Sequence, residues 1–382
     1  MDSGVIYMSV LPTEKDFIRV FSNVFRLKNK PLLSGSEFDD CAALRLDSFS
    51  QNLFADSLTF STDTVRESTD FPAGMTLWQR GWMTAAVNLS DLAAMGSKPV
   101  AFLFSAGLPR GFTLKDAEEF AQGIQDCVSF FGGEVIGGDT EFNEEFTITG
   151  TVIGISDNKN LILRKNAQPG DLLCVTGFTG SAGVALSVML NKIRVPASNR
   201  FLKNIIEPFP RIFEGMMLAQ SGAVNSMIDT SDGLASSVYE LSALSGVFFE
   251  IDERSLPLED EALSILSTSL KNELNGEQIG AKAQSLLVHE ALYTGGDYEL
   301  LFTIPQDKLS LVEELFQTLN TTAAMRFGSL SSAGKSGRSP CKFTVIGKAI
   351  AEKENVIITQ SGSGEQRLPL LKMGYDSFTK YI

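Results

Sequence analysis

The most restrictive stretch of this chain is Ala85–Met95, AAVNLSDLAAM, which is apolar enough to demand burial yet carries an amide and a carboxylate. Asn88 and Asp91 stand three residues apart and so share one helix face. A carboxylate in apolar surroundings is costly unless it is hydrogen-bonded, ion-paired or bound to a cation. The whole segment Leu77–Met95 is helical in composition, with Gly96 placed to end the helix and Pro99 to stop its continuation. The competing reading is an exposed polar stripe on a surface helix.

The same tension recurs along the chain. Asp39-Asp40, Asp63, Asp91, Asp139, Asp229 with Asp232, and Asp297 lie at the ends of apolar strands or inside an apolar helix. Ser61-Thr62-Asp63-Thr64 and Asp229-Thr230-Ser231-Asp232-Gly233 cluster hydroxyl and carboxylate oxygens, the hard ligands that magnesium prefers. A strand-end turn or a helix N-cap would use the same residue types. Gly137-Gly138-Asp139-Thr140 and Thr294-Gly295-Gly296-Asp297 add glycines that let backbone amides approach a ligand, although capped glycine turns are common.

Other chemistries fall away by composition. The single histidine, His289, rules out a Ser-His-Asp triad and a histidine-rich metal site, and reads as a partly exposed polar residue near a helix end. Cys41, Cys127, Cys174 and Cys341 form no C-x-x-C pair, which fits a reducing cytoplasm. A net charge of −14 argues against a nucleic-acid partner, and no stretch suggests a signal peptide or a membrane span. Gly177–Gly183 is spaced G-x-x-G-x-x-G, not as a dinucleotide fingerprint, and Gly334-Lys335-Ser336 lacks the preceding glycine of a P-loop.

With 382 residues, 43% of them hydrophobic, the chain is long enough for two domains. The polar run Ser156–Asn160 and Pro169-Gly170-Asp171 put the junction near residue 160, giving domains 1–160 and 161–382. Helices are expected over Glu14–Phe25, Leu77–Met95, Thr113–Phe131, Ser181–Leu190, Arg211–Ser221, Gly233–Ser245 and Gln306–Leu319. Strands are expected over Cys41–Asp47, Leu53–Asp63, Val100–Ala106, Glu134–Asp139, Glu145–Ile155, Leu172–Thr176, Ser226–Asp229, Val247–Ile251, Tyr298–Ile304 and Phe343–Ala349. Ser329–Pro340 reads as a surface loop. The class is mixed α/β.

In this order the segments Ser61–Thr64, Ala86–Gly96, Ile136–Thr140, Ile228–Leu234, Asp297–Leu300 and Gly374-Tyr375-Asp376 resemble the thiamine-monophosphate kinases. That family shares a superfamily with aminoimidazole-ribotide synthetase, selenophosphate synthetase and an ATP-binding hydrogenase maturation factor. The resemblance implies a two-domain α/β fold whose N-terminal sheets pair into a barrel in a homodimer. It implies magnesium ligation by Asp40, Ser61, Thr62, Asp63, Asp91, Asp139, Asp229 and Asp232, with Asp63, Asp91, Asp139 and Asp232 central to catalysis. ATP would meet Gly138, Asp139, Arg164 and Ser231, and the acceptor would meet Asp70, Gly296 and Tyr375.

The implied reaction is in-line attack by the phosphate of thiamine monophosphate on the γ-phosphorus of ATP. Such a nucleophile is already anionic at neutral pH and needs no general base; the obstacle is repulsion between polyanions, which magnesium relieves. The departures from the family fall in the acceptor region. Ser36-Glu37-Phe38 replaces Gly-x-Gly, Asp70 a histidine, Phe142 an arginine and Gly296 a glutamate. Tyr375 remains as an aromatic platform for a cationic ring, or as a core aromatic. Two other functions stay open, a related ATP-dependent enzyme with a different acceptor and a non-catalytic nucleotide-binding dimer.

Overall fold

The computed structural model describes residues 32–34, 42–45, 56–271, 274–327, 341–361 and 364–376. The expected helix Glu14–Phe25, the loop Ser329–Pro340, Asp39-Asp40 and Ser36-Glu37-Phe38 lie outside them.

The first sheet takes β1 (Leu32–Ser34), β2 (Ala42–Arg45), β3 (Ser57–Arg66), β4 (Lys98–Leu108), β5 (Glu134–Phe142) and β6 (Thr147–Ser156), in the order β1-β2-β3-β6-β4-β5. Only β4 and β5 run parallel, joined by helix α2 (Leu114–Phe130) as a crossover. Before β4 comes helix α1 (Leu77–Ala94). Thr76 starts it with a capping box, accepting from the Gln79 amide at 3.1 Å while the Gln79 side chain accepts from the Thr76 amide at 3.0 Å.

Helix α1 has almost no polar face, and accordingly Gly81 through Ser90 are all buried. It is enclosed because glycines let neighbours approach. A Cβ on Gly123 of α2 would stand 2.0 Å from the Trp78 carbonyl, and one on Gly215 2.1 Å from the Ala93 carbonyl.

The second sheet takes β7 (Leu172–Thr176), β8 (Ser226–Asp229), β9 (Phe248–Asp252), β10 (Leu300–Ile304), β11 (Phe343–Ile350), β12 (Val356–Ser361) and β13 (Gly364–Pro369), in the order β13-β12-β9-β11-β7-β10-β8. Around it lie α3 (Ser181–Met189), α4 (Asn199–Ile206), α5 (Ile212–Ser221), α6 (Leu234–Ser245), α7 (Asp260–Ser269), α8 (Gly276–Tyr293) and α9 (Leu309–Phe327). Its central strands are covered on both faces. In β7, Cys174 joins the core that also holds α1, while Leu173 and Val175 join a separate cluster with Leu234 and Val238 of α6.

Among the described residues, the first sheet is covered on one face only. Thr59, Val65, Ile148, Val152 and Phe102 are buried beneath α1 and α2, whereas Phe60, Leu103 and Ile153 on the other face are partly exposed, and Ile136 on edge strand β5 is 57% exposed. Helices α4 and α7 and the hairpin β12–β13 were not anticipated; α4 and α7 are short, and β13 is wholly exposed, so no buried alternation marks it. The strand expected from Tyr298 begins at Leu300, because Tyr298 is left-handed at φ +52°.

Candidate functional site

Ser61 and Asp63 share the parity of buried Thr59 and Val65, so they face the α1 side of the first sheet. The Ser61 hydroxyl donates to Asp91 Oδ2 on α1. Thr62 points the other way, its hydroxyl donating to the Gly150 carbonyl at 2.7 Å and meeting that of Thr151 at 3.0 Å. One residue before Asp91, the buried Ser90 hydroxyl donates to Asp229 Oδ2 at 2.6 Å, and Ser231 donates to Asp229 Oδ1 at 3.0 Å. Asn88 is fully buried and donates to the Thr84 carbonyl at 3.0 Å, whereas Asp91 is half-buried.

Three loops of the second half interlock beside these residues. The Gly296 amide donates to the Ser231 carbonyl at 2.8 Å, and the Thr230 amide to the Glu299 carbonyl at 2.9 Å. The Tyr375 amide donates to the Asp232 carbonyl at 3.0 Å. Only glycine fits at two of the contacts: a Cβ on Gly295 would stand 2.3 Å from the Ser231 carbonyl, and one on Gly374 2.7 Å from that of Asp232.

Tyr298 stands at the centre. Burial first, and then the negative charge of Asp63, Asp229, Asp70 and Asp232, pushes its phenol far above the ordinary range, so it stays protonated and able to donate. Asp70 itself accepts from the Arg66 amide at 2.9 Å and the Thr69 hydroxyl at 2.7 Å. The negative charge of Asp63 on β3, of Asp70 in the turn after it, of Asp229 at the end of β8 and of Asp232 just beyond is thus felt at one phenol. The sequence reading quoted Tyr298 within a motif but did not assign it to the site; its signal was a tyrosine set between two acids.

Those two acids are used differently. Asp297 accepts from the Gly180 and Ala182 amides at 2.7 and 3.0 Å, so the glycine turn 177–183 already cradles an anion, the protein's own. Burial nevertheless pushes the Asp297 carboxyl up to about 7, outweighing those two donors. Glu299 is paired with Arg211, whose Nε donates to Oε2 at 2.6 Å and whose other nitrogen donates to Oε1 at 2.5 Å, and the Thr176 hydroxyl donates to Oε2 at 2.6 Å. His289 is exposed on α8, edge-on to Tyr293.

Not every expected residue joins the cluster within one chain. Asp63 pairs in register with Gly150, Gly150 with Phe104, and Phe104 with Gly138, which puts Gly138 and Asp139 three strands away on exposed edge strand β5, about 14 Å along the sheet. Arg164 is half-buried in the segment leading to the second sheet, its carbonyl accepting from Ser245 at 3.2 Å. Asp40 lies outside the described residues.

The donors fit magnesium in kind, since Asp63, Asp91, Asp229, Asp232 and Ser61 offer only oxygen and no Cys or His stands among them. They do not make a cage: among the described residues no three His, Cys, Asp or Glu side chains are grouped to hold an ion. Among the described residues no helix is long and apolar enough to cross a membrane.

Residues 38–156 match the family model for the AIR synthase related protein, N-terminal domain. The chain is 38% identical to a thiamine-monophosphate kinase of Methanospirillum hungatei over 71% of its own length and 81% of the relative's. Its fold matches AaThiL complexed with AMPPCP and TMP, with a TM-score of 0.69 at 22% identity, covering 96% of this chain and 97% of that one. It also matches Escherichia coli HypE, a hydrogenase maturation protein, with a TM-score of 0.61 at 18% identity over 93% and 96% of the two chains. The fold is therefore AIR synthase-like, and by its identity to the Methanospirillum enzyme the chain belongs to the thiamine-monophosphate kinase family.

Proposed function

We propose that this protein transfers the γ-phosphoryl group of ATP to thiamine monophosphate, giving thiamine diphosphate and ADP. The observation that carries the reading is that successive residues of α1 tie the two sheets, Asp91 accepting from Ser61 of the first and Ser90 donating to Asp229 of the second, in a chain 38% identical to a thiamine-monophosphate kinase.

Magnesium would be held by Asp63, Asp91, Asp229 and Asp232 with Ser61, and by Asp40 and Asp139 of the expected set; bound there, it would neutralise phosphate charge that otherwise keeps donor and acceptor apart. The chain's own residues orient and exclude. Ser61, Ser90 and Ser231 fix the carboxylates. Tyr298, kept protonated, would be a donor to a phosphate oxygen. Gly138, Asp139, Arg164 and Ser231 are assigned to ATP, and Asp70, Gly296 and Tyr375 to the acceptor. The acceptor phosphate is its own nucleophile, and direct in-line transfer needs no proton removed by the protein.

Domains 1–160 and 161–382 are supported by the strand membership, since every strand through Ser156 joins the first sheet and every strand from Leu172 joins the second. Pairing of two chains through the uncovered face of the first sheet is supported by the partly exposed Phe60, Leu103 and Ile153 there. It would also give Asp139, remote from Asp63 in one chain, a route to a shared site. A cytoplasmic location accords with the three buried thiols, Cys127, Cys174 and Cys341.

The test is ADP release from magnesium-ATP with thiamine monophosphate, with thiamine and with no acceptor, followed by product identification. Thiamine diphosphate formed only from the monophosphate is the expected result. Nucleotide binding without that product would move the search to another acceptor, which the altered Asp70, Phe142 and Gly296 positions would then explain.

A further inference from the structure

Neighbouring residues on an α-helix point about 100° apart, so a helix wedged between two sheets can address one with each of two successive side chains. Helix α1 does this with Ser90 and Asp91. Asp91 accepts from Ser61 of β3, in the first sheet, while Ser90 donates at 2.6 Å to Asp229 at the end of β8, in the second. Ser90 is 0% exposed and Asp229 only 3%. A contact this dry, between residues 139 apart in sequence, is a direct polar tie between the two halves.

We infer that Ser90 is a positioning residue for the metal-nucleotide site, holding the Asp229 carboxylate in one rotamer and thereby setting the second sheet's acid against those of the first. The inference rests on the magnesium-nucleotide reading above. Asp229 takes one hydroxyl on each oxygen, Ser90 on Oδ2 and Ser231 on Oδ1. A carboxylate offers about four lone-pair directions, and a donor on each oxygen orients the group. Ser231 sits two residues from Asp229 on the same turn and moves with it; Ser90 alone of the two is anchored on the other half. Donors behind a metal-ligating group commonly govern affinity by 10- to 100-fold when removed.

The experiment measures manganese binding, as a paramagnetic stand-in for magnesium, in the presence of a non-hydrolysable ATP analogue, for the wild type, Ser90→Ala and Ser90→Cys. The cysteine variant nearly keeps the buried volume and replaces a strong donor by a weak one. Ser242→Ala serves as the comparator, because Ser242 is also buried and donates to Asn355 at 2.8 Å on the far side of the second half. The expected result is a manganese dissociation constant raised about tenfold or more in Ser90→Ala, and raised in Ser90→Cys, with Ser242→Ala unchanged even where its melting temperature falls. In turnover, the magnesium concentration for half-maximal rate should rise by the same factor while KM for the acceptor holds. A folded Ser90→Cys or Ser90→Ala protein with wild-type manganese affinity would overturn the inference and leave the kinase reading standing. Failure of the wild type to bind manganese with the analogue would overturn both.

Discussion

Within three consecutive residues, Asp297, Tyr298 and Glu299, the molecule shows two ways of handling buried acid. On the flanks the protein closes its own charges, Asp297 against the backbone amides at the start of α3 and Glu299 against the guanidinium of Arg211. At the centre, Asp91 accepts from the Ser61 hydroxyl, and Asp229 accepts from the hydroxyls of Ser90 and Ser231. Hydroxyls orient a carboxylate without cancelling its charge, whereas a guanidinium does both. The contrast separates acids held by a guanidinium or a helix N-terminus from acids held by hydroxyls, a distinction that residue type alone does not make.

The sharpest way to break that contrast is to neutralise an acid of the central group. Asp91→Asn should leave the melting profile near wild type and lower turnover by about 10³-fold, equivalent to roughly 4 kcal/mol of transition-state stabilisation. Normal ATP-dependent turnover in the folded variant would remove Asp91 from the site.

The flanking group should respond in the opposite sense. Arg211→Ala strands Glu299 in the core and leaves Glu214 without its guanidinium, now 3.8 Å away, so unfolding in denaturant should show a loss of about 3 kcal/mol or more. Replacing Arg211 and Glu299 together by apolar residues of similar volume should recover most of that loss. A large loss of stability in Asp91→Asn with little in Arg211→Ala would invert the comparison.

Asp297 sharpens it through pH. Its carboxyl is raised by burial to about 7, above the ordinary unfolded value of about 3.9, so the folded chain holds that proton more tightly. Its contribution to stability is therefore greatest below pH 4 and is lost as pH rises from about 4 to 7. Asp297→Asn should lack that slope, so wild-type stability should fall relative to the variant as pH rises from about 4 to 7, and parallel curves would show that the amides of Gly180 and Ala182 fully offset burial.

The smallest effect belongs to the acceptor side. Tyr375→Leu should raise KM for thiamine monophosphate about tenfold through loss of a ring–cation contact, with kcat nearly unchanged. An unchanged KM would make Tyr375 a packing residue of the loop that meets Asp232.

Much of this was legible in the residues. The apolar window around Asp91 demands burial, and α1 is buried; the glycines before Asp297 read as room for a ligand, and Gly295 instead lies against the Ser231 carbonyl. What residue types could not reveal was partner choice. Asp297 and Asp229 look alike at the ends of apolar segments, and only the fold delivers a helix N-terminus to one and Ser90 to the other. Thr62 reads as a companion of Asp63, yet strand alternation turns its hydroxyl to the opposite face. The sequence reading also left Tyr298 out of the site, because a strand reading assigns it a pleated position rather than φ +52°. Phe142 carries the guanidinium of Arg110 4.9 Å above its ring, a contact between residues 32 apart that spacing does not signal.

The most direct measurement is calorimetric titration of a non-hydrolysable ATP analogue with magnesium into the wild type, Asp229→Asn and Glu299→Gln, each confirmed as folded. The account predicts that Asp229→Asn loses magnesium-dependent binding while Glu299→Gln, though less stable, binds as the wild type does. Equal binding by the wild type and Asp229→Asn, with the loss falling on Glu299→Gln, would contradict the division between the two sets of acids.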